Sequence, residues 1–509
     1  MSLNLASILR VSAQKQPKQP ALTIGERTFD YGTLDAYARR FAGGLQGLGV
    51  ARGSHVALLL PNVPHFTMAY YGAHYAANPV VPLNVLLTAD EIAYHLEDSD
   101  AVAVVVWEGF FEAAHAAFLR VETCRHLIVV KADPTDTAAP EGCVNFTALL
   151  GGATPVAELP DTMPDDTAVI LYTSGTTGRP KGAELSHFNL YYNAEYTSTR
   201  LLPLGSDTVA LVALPLFHSF GQTVLQNGVL RSGGHLVLMP RFEPTAAFQL
   251  LAGHKVSLFA GVPTMYFALL HHPEAASFDL SALRLCVSGG SAMPASVMLA
   301  FDERYNVNIL EGYGLSETSP VASFNVLDRP KKPGSIGLPI EGVEFRLVDG
   351  EGNVVADAET AGEIQIKGHN VMKGYYKRPE VNATTIVDGW FGTGDIGVRD
   401  DEGYYRIVDR KKDMIIRGGF NVYPREIEEV LYAHPAIGEA AVIGVPHTSH
   451  GEEVKAVVAF KPGHSATVEE LQAYCKEHLA AYKYPRLFAV MDALPKGPTG
   501  KILKRELRG

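Results

Sequence analysis

A string of glycine and hydroxyl-bearing residues follows a β-prone run and ends in a lysine. The string reads Tyr172-Thr-Ser-Gly-Thr-Thr-Gly-Arg-Pro-Lys-Gly182, directly after the run 168–171. Glycines let backbone N–H groups approach an anion closely, and the ammonium of Lys181 adds positive charge. The string is not a P-loop of the GxxxxGK[ST] type, because Pro180 stands where that pattern needs glycine. We predict a polyphosphate cradle made by Thr173, Ser174, Gly175, Thr176, Thr177, Gly178 and Lys181.

The predicted phosphate loop lies in a region where short apolar runs alternate with helical patterns. The β-prone runs are 56–60, 102–107, 168–171, 209–214, 256–260, 283–287 and 307–310, and helical periodicity marks 245–253 and 294–305. Over the first four hundred residues this alternation implies largely parallel sheets that are covered on both faces. Because ligands of such sheets bind beyond the carboxyl ends of the strands, we expect the chemistry in the polar turns that follow these runs.

The character of the sequence changes at a charged run, Asp409-Arg-Lys-Lys-Asp413. After it we predict a helix over 424–432, strands over 440–445 and 454–460, and a second helix that begins at the capping box Thr467-Val-Glu-Glu470. The predicted fold is α/β: residues 1–411 form a large domain of mostly parallel sheets flanked by helices, and residues 412–509 form a small, mobile α+β domain. A chain of 509 residues also exceeds what one hydrophobic core supports.

The net charge, the cysteine spacing and the length of the apolar runs limit the kinds of protein that this chain could be. The net charge is −12 and the basic residues form no long run, which argues against a nucleic-acid partner. The four cysteines lie far apart and form no metal-ligand pattern, as expected in the reduced cytoplasm. Since the apolar runs are much shorter than the ~20 residues of a membrane-spanning helix, we expect no transmembrane segment. We expect no signal peptide either.

The motifs of this chain together resemble those of a known enzyme group. The string at residues 172–182 is similar to the signature of the adenylate-forming superfamily, which includes acyl-CoA synthetases, luciferases and peptide-synthetase adenylation domains. Further motifs of that superfamily recur in order from Pro61-Asn62 to Lys501. The resemblance implies an AMP-forming acyl-CoA synthetase, an acid–thiol ligase that uses ATP, Mg²⁺ and coenzyme A. It also gives Thr176 of the phosphate loop a catalytic role.

The segment Glu311-Gly-Tyr-Gly-Leu-Ser-Glu-Thr318 matches the part of the family pattern that lines the nucleotide. By resemblance, Tyr313 stacks on the adenine, Thr318 touches the α-phosphate and Glu317 holds magnesium. A carboxylate suits the last role because Mg²⁺ prefers hard oxygen ligands. The other nucleotide contacts that the resemblance implies are Gly290, Ser291, Ala292, Glu311, Gly312, Gly314 and Ile407.

Two further motifs supply the predicted ribose site. Asp395, in Gly389-Trp-Phe-Gly-Thr-Gly-Asp395, matches the aspartate that accepts the ribose hydroxyls, and a carboxylate can take two hydroxyl donors together. The alternative is that Asp395 only caps the following turn. Arg410 resembles the family's second contact to ribose and phosphate, and we include it among the catalytic residues.

A lysine close to the C-terminus completes the predicted catalytic set. Lys501, in Pro495-Lys-Gly-Pro-Thr-Gly-Lys501, matches the lysine that bridges the acyl carboxylate and the α-phosphate, where an ammonium neutralises developing charge. The plainer alternative is a basic surface tail. By resemblance, the small domain rotates about Lys412, which withdraws Lys501 and brings the turn Gly418-Gly419 to the pantetheine arm of CoA.

The acyl side of the site is predicted from residues in the same motifs. By resemblance, His218, in Leu214-Pro-Leu-Phe-His-Ser-Phe-Gly221, borders the carboxylate and the thiol tunnel, although a lone histidine is often structural. The other substrate or CoA candidates are Phe217, Phe220, Gln222, Tyr266, Val287, Gly290, Gly312 and Gly314. They suggest an apolar pocket, so we favour a medium- or long-chain fatty acid over an aryl or dicarboxylic acid.

Three alternative functions stay open at the level of sequence. The enzyme could stop at acyl-AMP and load the thiol of a carrier protein, although residues 318–395 carry no long insertion of the sort such ligases often have. It could be an inactive binding protein on the same fold, or a luciferase-like oxygenase. The oligomeric state is open as well, and no basic amphipathic stretch supports a peripheral membrane contact.

Overall fold

The structure, a computed structural model, describes residues 2–173, 179–418, 420–449, 451–497 and 500–508. In these ranges the α-helices, in chain order, are α1 (Ser7–Lys15), α2 (Tyr31–Gly47), α3 (Pro64–Tyr75), α4 (Ala89–Asp98), α5 (Phe111–Phe118), α6 (Phe146–Gly152), α7 (His187–Tyr196), α8 (Gly228–Arg231), α9 (Pro244–Gly253), α10 (Pro263–Leu270), α11 (Ala295–Tyr305), α12 (Pro379–Thr385), α13 (Pro424–Ala433), α14 (Val468–His478) and α15 (Lys504–Leu507). The segments Thr197–Leu201 and Phe220–Asn227 are π-helical.

The β-strands carry the functional segments between these helices. In chain order they are β1 (Pro20–Ile24), β2 (Arg27–Asp30), β3 (His55–Leu59), β4 (Val80–Pro82), β5 (Ala101–Trp107), β6 (His126–Val130), β7 (Val144–Asn145), β8 (Thr167–Thr173), β9 (Lys181–Ser186), β10 (Val209–Val212), β11 (His235–Leu238), β12 (Leu258–Gly261), β13 (Leu285–Ser288), β14 (Asn308–Gly314), β15 (Val321–Phe324), β16 (Leu338–Pro339), β17 (Val343–Val348), β18 (Val354–Val355), β19 (Gly362–Gly368), β20 (Gly374–Tyr375), β21 (Ile386–Val387), β22 (Trp390–Arg399), β23 (Tyr405–Arg410), β24 (Ile415–Arg417), β25 (Phe420–Val422), β26 (Ile437–His447), β27 (Gly451–Phe460) and β28 (Leu487–Val490).

The first sheet has the strand order β16-β15-β14-β13-β12-β10-β11-β1-β2. The strands from β14 to β1 are parallel, and β2, β15 and β16 form antiparallel edges. Apolar runs with no polar face, such as β12, fit this position because both faces of the sheet are covered. The predicted runs at 209–214, 256–260, 283–287 and 307–310 are therefore confirmed as parallel strands, with bounds shifted by a few residues.

The second sheet has the order β20-β9-β8-β4-β3-β5-β6-β7 and is parallel from β8 to β7. β9 turns back antiparallel to β8 and pairs Lys181 with Thr173. The two ends of the predicted phosphate loop therefore meet at the carboxyl end of β8. The residues between them that we predict as phosphate contacts, Ser174, Gly175, Thr176, Thr177 and Gly178, lie outside the described residues.

The third sheet corrects the expectation of one alternating theme up to residue 400. It has the order β18-β17-β19-β22-β21, with β23 on β22, and every pairing is antiparallel. Strands such as β19 alternate buried and partly buried residues. This pattern is typical of an antiparallel sheet with one covered face. The mostly parallel α/β prediction for the large region is confirmed, with this antiparallel sheet added to it.

The C-terminal region forms its own sheet and core. Its order is β25-β24-β27-β26, with β28 on β27, and its core includes Ile427 of α13 and Leu471 of α14. The predicted capping box is confirmed: Thr467 Oγ1 accepts from the Glu470 N–H at 3.2 Å, and a Glu470 oxygen accepts from the Thr467 N–H at 2.7 Å. Lys412 lies in the turn between β23 and β24. The domain boundary and the hinge at Lys412 stay predictions.

Among the residues that the structure describes, no helix combines the length and apolar character that a bilayer crossing requires. The cysteines Cys124, Cys143, Cys286 and Cys475 are all free.

Candidate active site

A cavity of about 790 Å³ lies at the carboxyl ends of the parallel strands. Residues that end β8, β12, β13 and β14 line it, as expected for an α/β sheet. The third sheet contributes wall residues from β22 and β23, and the C-terminal region contributes Gly497, Lys501 and Leu503. The cavity therefore collects residues that are separated by more than 300 positions in the chain, from Tyr172 to Leu503.

Asp395 joins Tyr313 and Arg410 in the cavity wall through one hydrogen bond and one ion pair. The Tyr313 hydroxyl donates to Asp395 Oδ2 at 2.6 Å, and Arg410 Nε lies 3.3 Å from Asp395 Oδ1. Strand pairing causes this arrangement because Asp395 of β22 stands opposite Arg410 of β23. The Asp395 side chain is almost fully buried, yet its residue lines the cavity. The structure thus brings the three predicted adenine and ribose contacts together.

Glu317 is held by two hydroxyl groups. Thr173 Oγ1 donates to Glu317 Oε1 at 3.2 Å, and the Tyr375 hydroxyl donates to the same oxygen at 2.8 Å. The Lys181 ammonium lies 4.7 Å from the centre of the Tyr375 ring, so the end of the predicted phosphate loop meets the predicted magnesium ligand at this tyrosine. Thr173, Lys181, Glu317 and Tyr375 all line the cavity.

Lys501 and His218 line the same cavity, although they are far apart in the sequence. Burial, to which the nearby Arg410 charge adds, lowers the pKa of the Lys501 ammonium to about 8. Burial, and secondarily the Lys501 charge, lowers the pKa of the His218 imidazole to about 4, so this histidine is neutral at pH 7. His218 Nδ1 accepts from the Phe220 N–H at 3.3 Å. A basic surface tail is therefore the wrong description of Lys501.

The remaining wall of the cavity is mostly apolar. It is made by Leu214, Phe220, Val224, Val262, Val287, Val321 and Phe324. Two glycines shape this wall by close approach: a Cβ at Gly289 would lie 3.1 Å from the Phe220 ring, and a Cβ at Gly312 would lie 2.6 Å from the Phe324 ring. Gly290 and Gly314 also line the cavity. The cavity is thus lined by five of the residues that we predicted for the acyl pocket: Phe220, Val287, Gly290, Gly312 and Gly314.

Two residues of the predicted nucleotide segment, Glu311 and Thr318, form hydrogen bonds within the protein. The Glu311 carboxylate is buried and accepts from the Met293 N–H at 3.1 Å, and burial raises its pKa to about 7. The Thr318 hydroxyl donates to the Pro320 carbonyl at 2.6 Å and accepts from the Leu315 N–H at 2.9 Å. Neither residue lines the cavity, so the structure does not bring their side chains to a nucleotide position.

Three predicted acyl-pocket residues are buried or packed elsewhere. The Tyr266 hydroxyl donates to the carbonyls of Phe259 at 3.1 Å and Val287 at 2.8 Å. Gln222 is fully buried and accepts from the Tyr70 hydroxyl at 3.3 Å. Phe217 packs on the main hydrophobic core and does not line the cavity. These corrections have one cause: a place next to a motif does not determine which face of a helix or turn a side chain occupies.

Four further predicted contacts also lie outside the cavity lining: Ser291, Ala292, Ile407 and Gly418. The Ile407 carbonyl accepts from Arg425 Nη1 at 2.7 Å, which joins β23 to the start of α13. Gly418, with a φ of 57°, forms the turn between β24 and β25. In this structure Lys501 points into the cavity and the Gly418 turn does not contribute to it. Gly419 lies outside the described residues.

Tyr375 and Glu363 are among the cavity residues that were not identified at the level of sequence. Tyr375 orients Glu317, and Glu363 accepts from the Gly394 N–H at 3.1 Å while its second oxygen lies 3.0 Å from Lys411 Nζ. Glu363 thereby supports the part of β22 that carries Asp395. Tyr375 is one of 22 tyrosines. Its position depends on the pairing of β20 with β9, which the local sequence does not indicate.

Most of the chain matches the models of one protein family. Residues 9–376 match the model of the AMP-binding enzyme family, and residues 426–501 match the model of its C-terminal domain. The chain belongs to the AMP-binding enzyme family. The membership confirms the predicted superfamily and enzyme class, an AMP-forming acid–thiol ligase, with ATP, Mg²⁺ and coenzyme A as its reactants and cofactors.

Relatives cover the whole chain. A long-chain-fatty-acid–CoA ligase of Bacillus subtilis (strain 168) is 37% identical over 525 residues, with 99% of this chain and 94% of the relative covered. A feruloyl-CoA synthase of Amycolatopsis sp. is 38% identical over 499 residues, with 97% and 96% covered. The crystal structure of an anthranilate CoA ligase in complex with anthranoyl-AMP superposes with a TM-score of 0.93 at 29% identity, covering 100% of this chain and 97% of that one.

The cavity fits a magnesium ion that is shared with a nucleotide. Among the described residues, no group of three or more His, Cys, Asp or Glu is placed to hold a metal. Glu317 alone offers a carboxylate beside Thr173 and Lys181, and its two described hydroxyl donors both go to Oε1. This suits Mg²⁺, which in nucleotide enzymes uses one or two carboxylates together with substrate phosphates and water. Glu317 would hold the ion, which would screen the charge of the phosphates.

Tyr375 provides a test of this site. In Tyr375→Phe, Glu317 Oε1 loses a charge-assisted hydrogen bond, so we expect the Mg²⁺ concentration that half-saturates ATP binding to rise about fivefold. Calorimetric titration of ATP at several Mg²⁺ concentrations measures this. Tyr376→Phe is the matched control, because the Tyr376 hydroxyl donates to Asp100 Oδ2, also at 2.8 Å, outside the cavity lining. Equal shifts in both variants, or no shift in either, would contradict the role given to Tyr375.

Proposed function

We propose that this chain is an acyl-CoA synthetase that activates a medium- or long-chain fatty acid with Mg-ATP and transfers the acyl group to coenzyme A. The observation that carries the proposal is the position of Lys501, a half-buried lysine in a cavity that also holds the Asp395 group, Glu317 and an apolar wall. One cavity of this composition suits a nucleotide and a carbon-rich acid at the same time. The name of the Bacillus subtilis relative supports a fatty acid.

The first reaction joins two anions. A carboxylate oxygen of the acid attacks the α-phosphorus of ATP, the new O–P bond forms, and the bond to the β-phosphate oxygen breaks to release pyrophosphate. Repulsion between the carboxylate and the triphosphate opposes this approach, so cations and N–H donors have to screen it. Lys181 and Lys501 supply the cations, and the loop that follows Thr173 supplies the donors.

The second reaction moves the acyl group to sulfur. The thiol of CoA attacks the acyl carbon, the C–S bond forms, AMP leaves, and the thiol proton is released. His218 is neutral at pH 7, so it borders both reactions without adding charge next to Lys501. For this reaction we propose that residues from Lys412 onward rotate, so that the lysine withdraws and the Gly418-Gly419 turn comes to the pantetheine arm. We propose the cytoplasm as the place of the reaction, since both ATP and CoA are available there.

An aryl acid is the second candidate substrate. Two aromatic side chains, Phe220 and Phe324, stand in the apolar wall, and aromatic rings pack favourably on one another. The feruloyl-CoA synthase is 38% identical to this chain and the fatty-acid ligase 37%. The anthranilate CoA ligase is 29% identical to it. A dicarboxylic acid is less well supported. Lys181, Arg410 and Lys411 already lie against Tyr375, Asp395 and Glu363.

A panel of fatty, aryl and dicarboxylic acids distinguishes these substrates. With Mg-ATP and CoA we expect thioester and equimolar pyrophosphate with fatty acids. We expect Lys501→Ala to reduce the rate by about 10²–10³, as removal of one transition-state charge contact does. Lys496→Ala is the matched control, because Lys496 is on the same hairpin but pairs with Glu439. Acyl-AMP without thioester would favour a carrier-protein thiol, and no product with any acid would contradict the proposed activity.

The pH dependence follows from the state of Lys501. The ammonium is present below its pKa of about 8 and is lost as the pH rises through that value. Since kcat/KM reports the free enzyme, we expect kcat/KM for adenylation to fall above about pH 8. Lys501→Arg stays cationic over this range, so its profile should lack the descending limb even if its rate is lower. A descending limb that persists in the arginine variant would assign the titration to another group.

A further inference from the structure

Lys501 is carried by a hairpin that is closed by its own hydrogen bonds. Lys496 and Ile502 form an antiparallel bridge, the Gly497 N–H donates to the Lys501 carbonyl at 2.8 Å, and the Gly500 N–H donates to the Gly497 carbonyl at 2.9 Å. These bonds set the shape of the hairpin. They do not set where Lys501 lies relative to the nucleotide cavity, most of whose lining residues belong to the large region.

One hydrogen bond ties this hairpin to the large region. Thr264 Oγ1 donates to the carbonyl of Gly500, the residue before Lys501, at 3.1 Å. Among the described residues, no other hydrogen bond joins hairpin 495–503 to any residue before 411. Thr264 stands in the first turn of α10, directly after β12 and Val262, so the donor is fixed to the sheet whose strand ends form the cavity.

Close packing accompanies this hydrogen bond. Gly500 has a φ of 78°, and a Cβ there would lie 2.9 Å from Thr264 Oγ1 and 3.0 Å from Val262 Cγ2. The backbone of the hairpin therefore rests directly on residues 262–264. Thr264 itself does not line the cavity and is not placed to touch the reacting atoms. Its hydroxyl contacts the lysine hairpin, and other residues line the cavity in which the substrates would bind.

We propose that Thr264 is a positioning residue that docks the lysine hairpin for adenylation and has no part in the transfer to CoA. This inference rests on the proposed function, because it assumes that Lys501 serves the first reaction and withdraws for the second. The contact exists only while Gly500 lies on α10. Its loss therefore lowers the population of the docked hairpin and leaves the residues that meet the thiol unchanged.

The substitution Thr264→Val keeps the shape of the side chain and removes the donor. We expect acyl-adenylate formation in a single turnover to slow about fivefold, the ratio that corresponds to one ordinary hydrogen bond. Thioester formation from a supplied acyl-adenylate and CoA should stay within twofold of the parent. Thr264→Ser should restore adenylation. Thr199→Val is the matched control, because the Thr199 hydroxyl also donates to a carbonyl, that of Glu195, but on an exposed helical turn.

A second measurement does not depend on activity. Amide hydrogen exchange at Gly497 and Gly500 should become about fivefold faster in Thr264→Val and stay unchanged in Thr199→Val, since undocking exposes the hairpin. Unchanged exchange would overturn the inference whether or not any acid is activated. An equal loss in both half-reactions would also overturn it, because it would indicate general damage. A parent enzyme that forms no acyl-adenylate would contradict the proposed function instead, and the exchange rates would still decide whether Thr264 docks the hairpin.

Discussion

A lysine ammonium that is partly removed from water is stabilised by an anionic partner and loses its proton more readily without one. Lys501 is in this position: its surroundings lower its pKa to about 8, and Arg410 and Lys412 add like charge. Asp395 is a nearby carboxylate, but one of its oxygens already accepts a hydrogen bond from Tyr313 and the other forms an ion pair with Arg410. The cavity therefore has an excess of positive charge next to a neutral His218. A polyanion that enters it relieves this excess, which is the electrostatic basis for nucleotide binding at this place.

The arrangement of the sheets brings these charged residues into one cavity. Parallel strands end at one edge of a sheet, so segments far apart in the chain meet there: Thr173 ends β8, Val287 lies in β13 and Gly314 ends β14. The antiparallel third sheet adds a second wall, because the pairing of β22 with β23 sets Asp395 opposite Arg410. The lysine hairpin then closes the cavity from the C-terminal region. Each layer contributes one part of the charge pattern, and none of them forms the site alone.

The sequence predicts this site best where local motifs coincide with strand ends. The parallel strands and the capping box at Thr467 follow from patterns within short segments. The grouping of Tyr313, Glu317, Asp395, Arg410 and Lys501 follows from motifs that resemble those of the adenylate-forming superfamily. The third sheet was missed because its longest strands, β19 and β22, mix polar residues and glycines with apolar ones, so they lack the continuous apolar runs that mark the parallel strands. Tyr266 and Gln222 were placed in the pocket because they stand near motifs, whereas their side chains satisfy hydrogen bonds inside the core. Tyr375 and Thr264 depend on contacts between distant segments, and such contacts leave no mark in a single sequence.

The central claim is that the cavity joins the acid to the α-phosphate of ATP before any thiol takes part. The most direct measurement is exchange of labelled pyrophosphate into ATP in the absence of CoA. The account predicts exchange that requires the acid and Mg²⁺ and that proceeds without CoA, because acyl-adenylate and pyrophosphate form reversibly in the cavity. Exchange that is independent of the acid, or turnover of ATP to ADP and phosphate, would contradict it.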